Sequence, residues 1–142
     1  MVDLHALEEI RRLLAIYGQL LDSKRIEEWS QLFTEDAVFD VWGQTWRGRK
    51  AIAEGIGGMQ PDTPGKHVVL SPVIDLQDAD HARAFTDLSA FASGQDGAIT
   101  IATIGRYHDE LVRQAGRWRF ARRVVVMAGE ATPDGVADSP AY

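Results

Sequence analysis

The chain has 142 residues and a formal net charge of −6 at pH 7, which fit one soluble domain rather than a nucleic-acid-binding protein. It contains no cysteine, so disulfide bonds and thiolate chemistry are excluded. No apolar run approaches the roughly 20 residues that span a bilayer, and the opening residues lack the apolar core of a secretory leader. We therefore expect a cytoplasmic protein with neither nucleic-acid nor membrane partners.

The first third of the chain has mainly helical periodicity. Apolar residues at steps of three and four predict an amphipathic helix over residues 4–21, with a stripe broad enough to pack on a sheet. A second short helix is predicted at 24–33, followed by turn chemistry at 34–36. A strand is predicted at Ala37–Trp42, and Gly48 opens a third short helix.

The remainder of the chain is predicted to be β. Alternation of apolar and polar residues predicts four long strands. They are His67–Leu76, Ala82–Ser93, Ile99–Val112 and Arg117–Met127. In the first of them, Val68, Leu70, Ile74 and Leu76 are predicted to share one face. Turns are expected at 94–97 and 114–116, and residues 128–142 are expected to form an extended or disordered tail.

Helices followed by strands indicate an α+β fold in the order α-α-β-α-β-β-β-β. A curved antiparallel sheet wrapped around the helices would form a cone with an internal pocket. We expect a single domain, residues 1–142, with its core at about 4–127. Apolar residues on both faces near Ile99–Ile104 also predict a homodimer or higher homo-oligomer.

Several short motifs occur in a characteristic order over about residues 5–127. They are Tyr17-x4-Asp22, Trp29-x2-Leu32-Phe33-x2-Asp36-Ala37, Gly48-Arg49-x2-Ile52, His67, Gly105-Arg106-Tyr107-x-Asp109-Glu110-Leu111 and Gly116-x-Trp118-x-Phe120. With these motifs the chain resembles the SnoaL-like branch of the nuclear transport factor two-like superfamily. The resemblance implies a cystatin-like cone. It leaves the reaction open, because this fold carries dehydratases, isomerases, hydrolases, cyclases and non-catalytic binders.

Within that branch, the chain is similar to scytalone dehydratase, bile-acid dehydratase and hexachlorocyclohexane dehydrochlorinase. The resemblance implies that His67 is a base paired with Asp22, and that Tyr17 is a pocket tyrosine. It also implies that Arg123, or Arg122 if the register slips by one, assists the leaving group. The same comparison implies a substrate-binding wall of Phe39, Leu88, Ala90, Thr103 and Tyr107. The second histidine of scytalone dehydratase has no counterpart.

Two other functions stay open at this point. The segment from Asp40 to Gln44 is similar to the one that holds the base of ketosteroid isomerase, with Tyr17 as the oxyanion donor. The acid partner of that family would fall near Thr100, where no acid is present. The third alternative is a non-catalytic small-molecule-binding module.

The residues themselves support an acid–base site without a cofactor. An imidazole has an ordinary pKa of about 6.5 and is a competent base near neutrality, and a carboxylate can fix its tautomer. Alternatively, His67 bonds only to backbone and Asp22 caps the next helix. We find neither a metal-ligand set nor a phosphate-binding loop. Together with these residues, the resemblance implies a cofactor-free lyase, of dehydratase or dehydrohalogenase type, acting on a small to medium apolar cyclic molecule. It also predicts that the Asp22 carboxylate lies within about 2.6–3.2 Å of an imidazole nitrogen of His67.

Overall fold

The computed structural model describes residues 1–141, in which helices precede a seven-stranded sheet. The helices are α1 (Leu4–Asp22), α2 (Ile26–Ser30) and α3 (Arg49–Ile52), and α3 continues as a π-helical turn, Ala53–Gly57. The strands are β1 (Phe33–Val41), β2 (Gln44–Arg47), β3 (Gly65–Val69), β4 (Val73–Leu76), β5 (His81–Ser93), β6 (Ile99–Gln114) and β7 (Arg117–Met127). Within residues 1–141, no helix combines the length and apolarity needed to cross a membrane.

The curved sheet is mixed rather than fully antiparallel. Its strand order is β2-β1-β7-β6-β5-β3, and β4 extends the β3 edge by pairing with β5. All pairs among β3–β7 are antiparallel, as predicted for residues 66–127. The β1–β7 pair is parallel, and it joins the first strand of the chain to the last. Register shifts in β5–β6 and β6–β7 are bulges of the kind that bend strands.

The long helix α1 lies against β3 and β7 and fills the inner side of the sheet. Asp3 caps its first turn by accepting from the Ala6 backbone N–H at 3.0 Å. The predicted apolar stripe is buried, including Ile10, Leu14, Tyr17 and Leu21. Trp29 of α2 is fully buried against Tyr17 and Phe33, so one aromatic cluster joins the helices to the sheet.

The predicted strand His67–Leu76 is two strands. The chain breaks at residues 70–72, where Pro72 has no N–H to donate to a ladder, and β4 begins at Val73. The break changes the phase of the alternation. Val68 and Leu70 are exposed on the outer side, whereas Ile74 and Leu76 pack against the core. The prediction of one shared face for these four residues was therefore wrong.

The segment between α1 and α3 also departs from the prediction. The second helix covers five residues rather than ten, and β1 begins at Phe33, so the predicted turn at 34–36 lies within a strand. A hairpin that we did not predict joins β1 to β2 through Trp42 and Gly43, whose φ angles are 53° and 71°. Positive φ at both positions defines a type I′ turn.

The C-terminal tail, residues 128–141, contains neither helix nor strand, and Tyr142 lies outside the described residues. The tail is held to the outer side of the sheet by a 2.9 Å hydrogen bond between His108 Nδ1 and the Ala137 carbonyl. The tail therefore does not cover the inner side of the sheet, which faces α1 and the space beyond the end of that helix.

Gly18 allows the close approach of α1 to β3, since a Cβ there would lie 3.2 Å from the His67 carbonyl oxygen. We expect Gly18→Val to lower the free energy of unfolding by about 1–3 kcal/mol, because the side chain forces the helix away from the strand. Urea denaturation measures this loss. The control is Ala15→Val, at an exposed position of the same helix, which tests helix propensity alone. Equal behaviour of the two variants would contradict close packing at Gly18.

Candidate functional site

A cavity of about 480 Å³ opens between the end of α1, the loop before β3 and the inner side of the sheet. This volume is in the range of small-molecule binding sites. The wall is mainly apolar and includes all five residues predicted to bind substrate. They are Phe39, Leu88, Ala90, Thr103 and Tyr107. Tyr17, Asp22 and His67 line the same cavity.

Asp22 and His67 are 45 positions apart in the sequence and in direct contact in the structure. Asp22 Oδ1 lies 2.6 Å from His67 Nδ1, within the expected range. Asp22 Oδ2 accepts a second hydrogen bond, at 2.9 Å, from the His67 backbone N–H. The Asp22 side chain is 6% exposed and that of His67 is 21% exposed, so the pair is shielded while the imidazole keeps access to the cavity.

The carboxylate determines which imidazole nitrogen is free. An ionised carboxylate only accepts hydrogen bonds, so the 2.6 Å contact requires the proton on His67 Nδ1. In the neutral imidazole the lone pair is then on Nε2. A cavity-lining imidazole of this tautomer can remove a proton, and the adjacent carboxylate stabilises the cation that forms.

The rings of Tyr17 and Tyr107, which also line the cavity, pack against the buried guanidinium of Arg123. The guanidinium carbon of Arg123 lies 4.1 Å from the ring centre of Tyr17 and 3.6 Å from that of Tyr107. Burial raises the pKa of Tyr17, against the opposing effect of Arg123, and it raises the pKa of Tyr107 well above the ordinary value of 10.0. Both phenols therefore keep their protons at neutral pH and can donate hydrogen bonds.

Of the two adjacent arginines left open by the sequence, Arg123 is the one that points inward, but it does not line the cavity. Its guanidinium forms a bidentate ion pair with buried Asp109 at 2.7 and 2.8 Å. Burial lowers the pKa of Arg123, but the Asp109 carboxylate more than offsets this effect, so the cation persists. The prediction that Arg123 assists a leaving group directly is therefore wrong, because the two tyrosine rings and Asp109 occupy its faces and edge.

Asp40 and Arg122 are on the other side of the sheet. Asp40 Oδ2 accepts from Arg122 at 3.0 and 3.1 Å, Asp40 Oδ1 accepts from Thr45, and neither Asp40 nor Arg122 lines the cavity. The interpretation of Asp40 as a pocket base is therefore wrong. Its position on the outer side follows from the register of β1 against β7, which turns Phe39 inward.

Sequence reasoning missed the residues at the cavity mouth. Trp42, Met59 and Lys24 all line the opening, and Lys24 Nζ donates to the Pro61 carbonyl. The segment 58–64 contains two prolines and no periodic pattern of apolar residues, so its sequence predicts only a loop. The only sequence signal for Trp42 is its place before Gly43, which is typical of a turn and not of a ligand contact.

The helices enclosed by a curved sheet, with a cavity at the end of α1, define a cystatin-like fold. The model of the SnoaL-like domain family matches residues 2–124, and the chain belongs to this family. No curated protein sequence matches the chain.

Solved structures give the same fold. A nuclear transport factor two-like protein with a cystatin-like fold from Novosphingobium aromaticivorans is 28% identical, with a TM-score of 0.78, over 98% of this chain and 96% of that one. A candidate scytalone dehydratase from the same organism is 24% identical, with a TM-score of 0.77, over 95% and 97%. ActVI-ORFA from Streptomyces coelicolor is 19% identical, with a TM-score of 0.79, over 87% and 98%.

Removing the partner of the buried cation should be costly. We expect Asp109→Ala to lower the free energy of unfolding by about 3–5 kcal/mol, because Arg123 is left charged, buried and unpaired. The double variant Asp109→Leu/Arg123→Met removes both charges and should recover most of this loss. Urea unfolding of both proteins measures the difference. Equal losses in the single and double variants would mean that packing, rather than the unpaired charge, causes the effect.

Proposed function

We propose that this protein is a dehydratase-type lyase that removes water from a small to medium, largely apolar cyclic β-hydroxy ketone. The observation that carries the proposal is the 2.6 Å contact between Asp22 and the imidazole of His67 at the wall of an apolar cavity. Similarity to a candidate scytalone dehydratase gives secondary support. Water suits the site as the leaving group, because the imidazolium formed at His67 can return its proton to a departing hydroxyl group, a step that a halide does not need.

In the proposed reaction, His67 Nε2 takes the proton from the carbon next to the ketone. The electrons of that C–H bond form the C=C bond, and the C–O bond to the hydroxyl group breaks. The imidazolium then gives its proton to the departing hydroxide, so water leaves and the imidazole is neutral again. Asp22 keeps Nδ1 protonated and stabilises the cationic intermediate state of the ring.

The ketone oxygen would lie against Tyr17 and Tyr107. Negative charge develops on this oxygen as the proton leaves carbon, and phenol donors beside a buried cation stabilise it. The apolar wall excludes water and strengthens these interactions. An isomerase with Asp40 as the base is not proposed, because that carboxylate binds Arg122 on the outer side of the sheet. A binding module without catalysis is the rival outcome.

We expect the protein to convert 3-hydroxy-1-tetralone to water and 1(4H)-naphthalenone, which tautomerises to the aromatic 1-naphthol and is measured by the fluorescence of 1-naphthol. His67→Ala should lower kcat by about 10²–10⁴-fold, because the general base is lost. Asp22→Asn should give a smaller loss, because the base remains but its tautomer is no longer fixed.

A second histidine–aspartate pair supplies the matched control. His81 Nδ1 lies 2.9 Å from Asp78, but both side chains are exposed and outside the cavity. His81→Ala should leave turnover unchanged. Binding of the tetralone without formation of naphthol would favour the binding module. Equal turnover by wild type and His67→Ala would contradict His67 as the base.

We also propose that the chain forms a homodimer through the outer side of the sheet. Six aliphatic side chains of β3, β4, β6 and the β3–β4 connection are exposed there, and Val68, Ser89 and Ile104 form one row across neighbouring strands. They are Val68, Leu70, Val73, Ile99, Ile101 and Ile104. The adjacent Arg106–Asp87 pair is about half exposed and self-complementary, so two copies related by a two-fold axis can exchange partners across the interface.

We expect Ile104→Lys to convert a dimer to a monomer, because it places a charge in the apolar patch. Sedimentation equilibrium at several protein concentrations measures the mass. Val2→Lys removes an exposed aliphatic side chain that precedes α1 and is not part of this patch, and it should leave the mass unchanged. A monomeric wild type would contradict the proposal.

A further inference from the structure

Trp42 combines a strained backbone with a large exposed apolar side chain at the mouth of the cavity. Its φ angle is 53°, it is 60% exposed, and it lines the cavity. In a type I′ turn the first central position favours asparagine, aspartate or glycine, because a bulky side chain is disfavoured at positive φ. Neither backbone preference nor burial explains a tryptophan here.

Backbone strain in this molecule is concentrated at the mouth. Among residues 1–141, three non-glycine residues have positive φ angles: Lys24, Trp42 and Ala115. The first two line the cavity. The third is a small, exposed residue in the matching type I′ turn between β6 and β7, away from the cavity. Strained residues of this kind cluster at ligand sites, where the strain positions a functional group.

The hairpin that carries Trp42 is fixed against the helical side of the mouth. The Trp46 indole packs on Gly55, where a Cβ would lie 2.1 Å from Trp46 Nε1. The facing loop, which carries Met59, is held by the hydrogen bond from Lys24 to Pro61. Met59 is 50% exposed and also lines the cavity. The opening is therefore framed by apolar groups that a ligand can cover.

We propose that Trp42 is the specificity-determining residue of the cavity and stacks on a flat aromatic or conjugated ring of the ligand at the mouth. The inference rests on the proposed function for the other end of the ligand, where an oxygen meets Tyr17 and Tyr107. An exposed indole face attracts a planar ring by offset stacking, whereas a saturated ring gains only the burial of apolar area. The ligand class is therefore a fused bicyclic or larger molecule with at least one planar ring.

The test compares the binding of 2-naphthol and of decahydro-2-naphthol, its saturated counterpart, by isothermal titration calorimetry. We expect wild type to prefer 2-naphthol. Trp42→Asn should weaken binding of 2-naphthol about tenfold and binding of the saturated alcohol less than about threefold, because only stacking is specific to the planar ring. Trp42→Phe should keep most of the affinity for 2-naphthol.

Stability and binding should change independently. Trp42→Asn suits the turn better than tryptophan, so its unfolding midpoint in urea should be equal to or higher than that of wild type. Ala115→Asn makes the matching change in the other turn and should leave binding of both alcohols unchanged. The proposal is overturned if wild type binds neither alcohol, if it shows no preference, or if Trp42→Asn weakens both equally or neither. Because binding is measured without turnover, the binding result can be interpreted even if His67 does not catalyse dehydration.

Discussion

The two hydrogen bonds that Asp22 accepts from His67 join the fold to the candidate site. One oxygen pairs with a backbone N–H of β3, a strand whose side toward α1 has no strand neighbour. A buried N–H without an acceptor is costly, so this bond stabilises the docking of α1. The other oxygen holds the imidazole. The same carboxylate therefore has a structural and an orienting role. The structural role is not the helix cap that the sequence offered as the alternative, because α2 has no side-chain cap.

The close approach at Gly18 is the geometric condition for this contact. Gly18 is one helical turn before Asp22, and a side chain at this position would press on the His67 backbone. The contact between α1 and β3 therefore positions the His67 imidazole as well as the helix and the strand. Behind them, Arg123 and Asp109 form a paired, buried charge beneath Tyr17 and Tyr107. The hydrogen bonds between Arg123 and Asp109 fix the guanidinium against the faces of the two tyrosine rings.

The sequence predicted the elements with long, regular periods: α1, β5, β6 and β7, together with the pairing of Asp22 and His67. Prediction from the sequence failed where the side of the sheet on which a residue lies depends on pairing with a neighbouring strand. The sequence left open which of Arg122 and Arg123 faces inward, and an unbroken hairpin counted back from the turn at 114–117 would pair Asp109 with Arg122. The bulge at Ala121 shifts the register by one, so Asp109 faces Arg123 instead. Local alternation carries no signal for that bulge. The side on which Asp40 lies likewise depends on the parallel pairing of β1 with β7. The break between β3 and β4 was missed because the apolar alternation continues past Pro72, although a proline cannot donate to a strand ladder.

The positions of the charged groups also limit how the proposed elimination proceeds. Arg123 is bound to Asp109, and Asp40 is bound to Arg122 on the outer side, so neither can protonate or withdraw a leaving group inside the cavity. In the proposed reaction His67 carries the proton removed from carbon and returns it to the departing hydroxyl group. Because one imidazole both removes the proton and returns it, both events occur on the same face of the substrate. The proposed reaction is therefore a same-face elimination, in which the phenols hold the ketone oxygen and Trp42 holds the far ring against rotation.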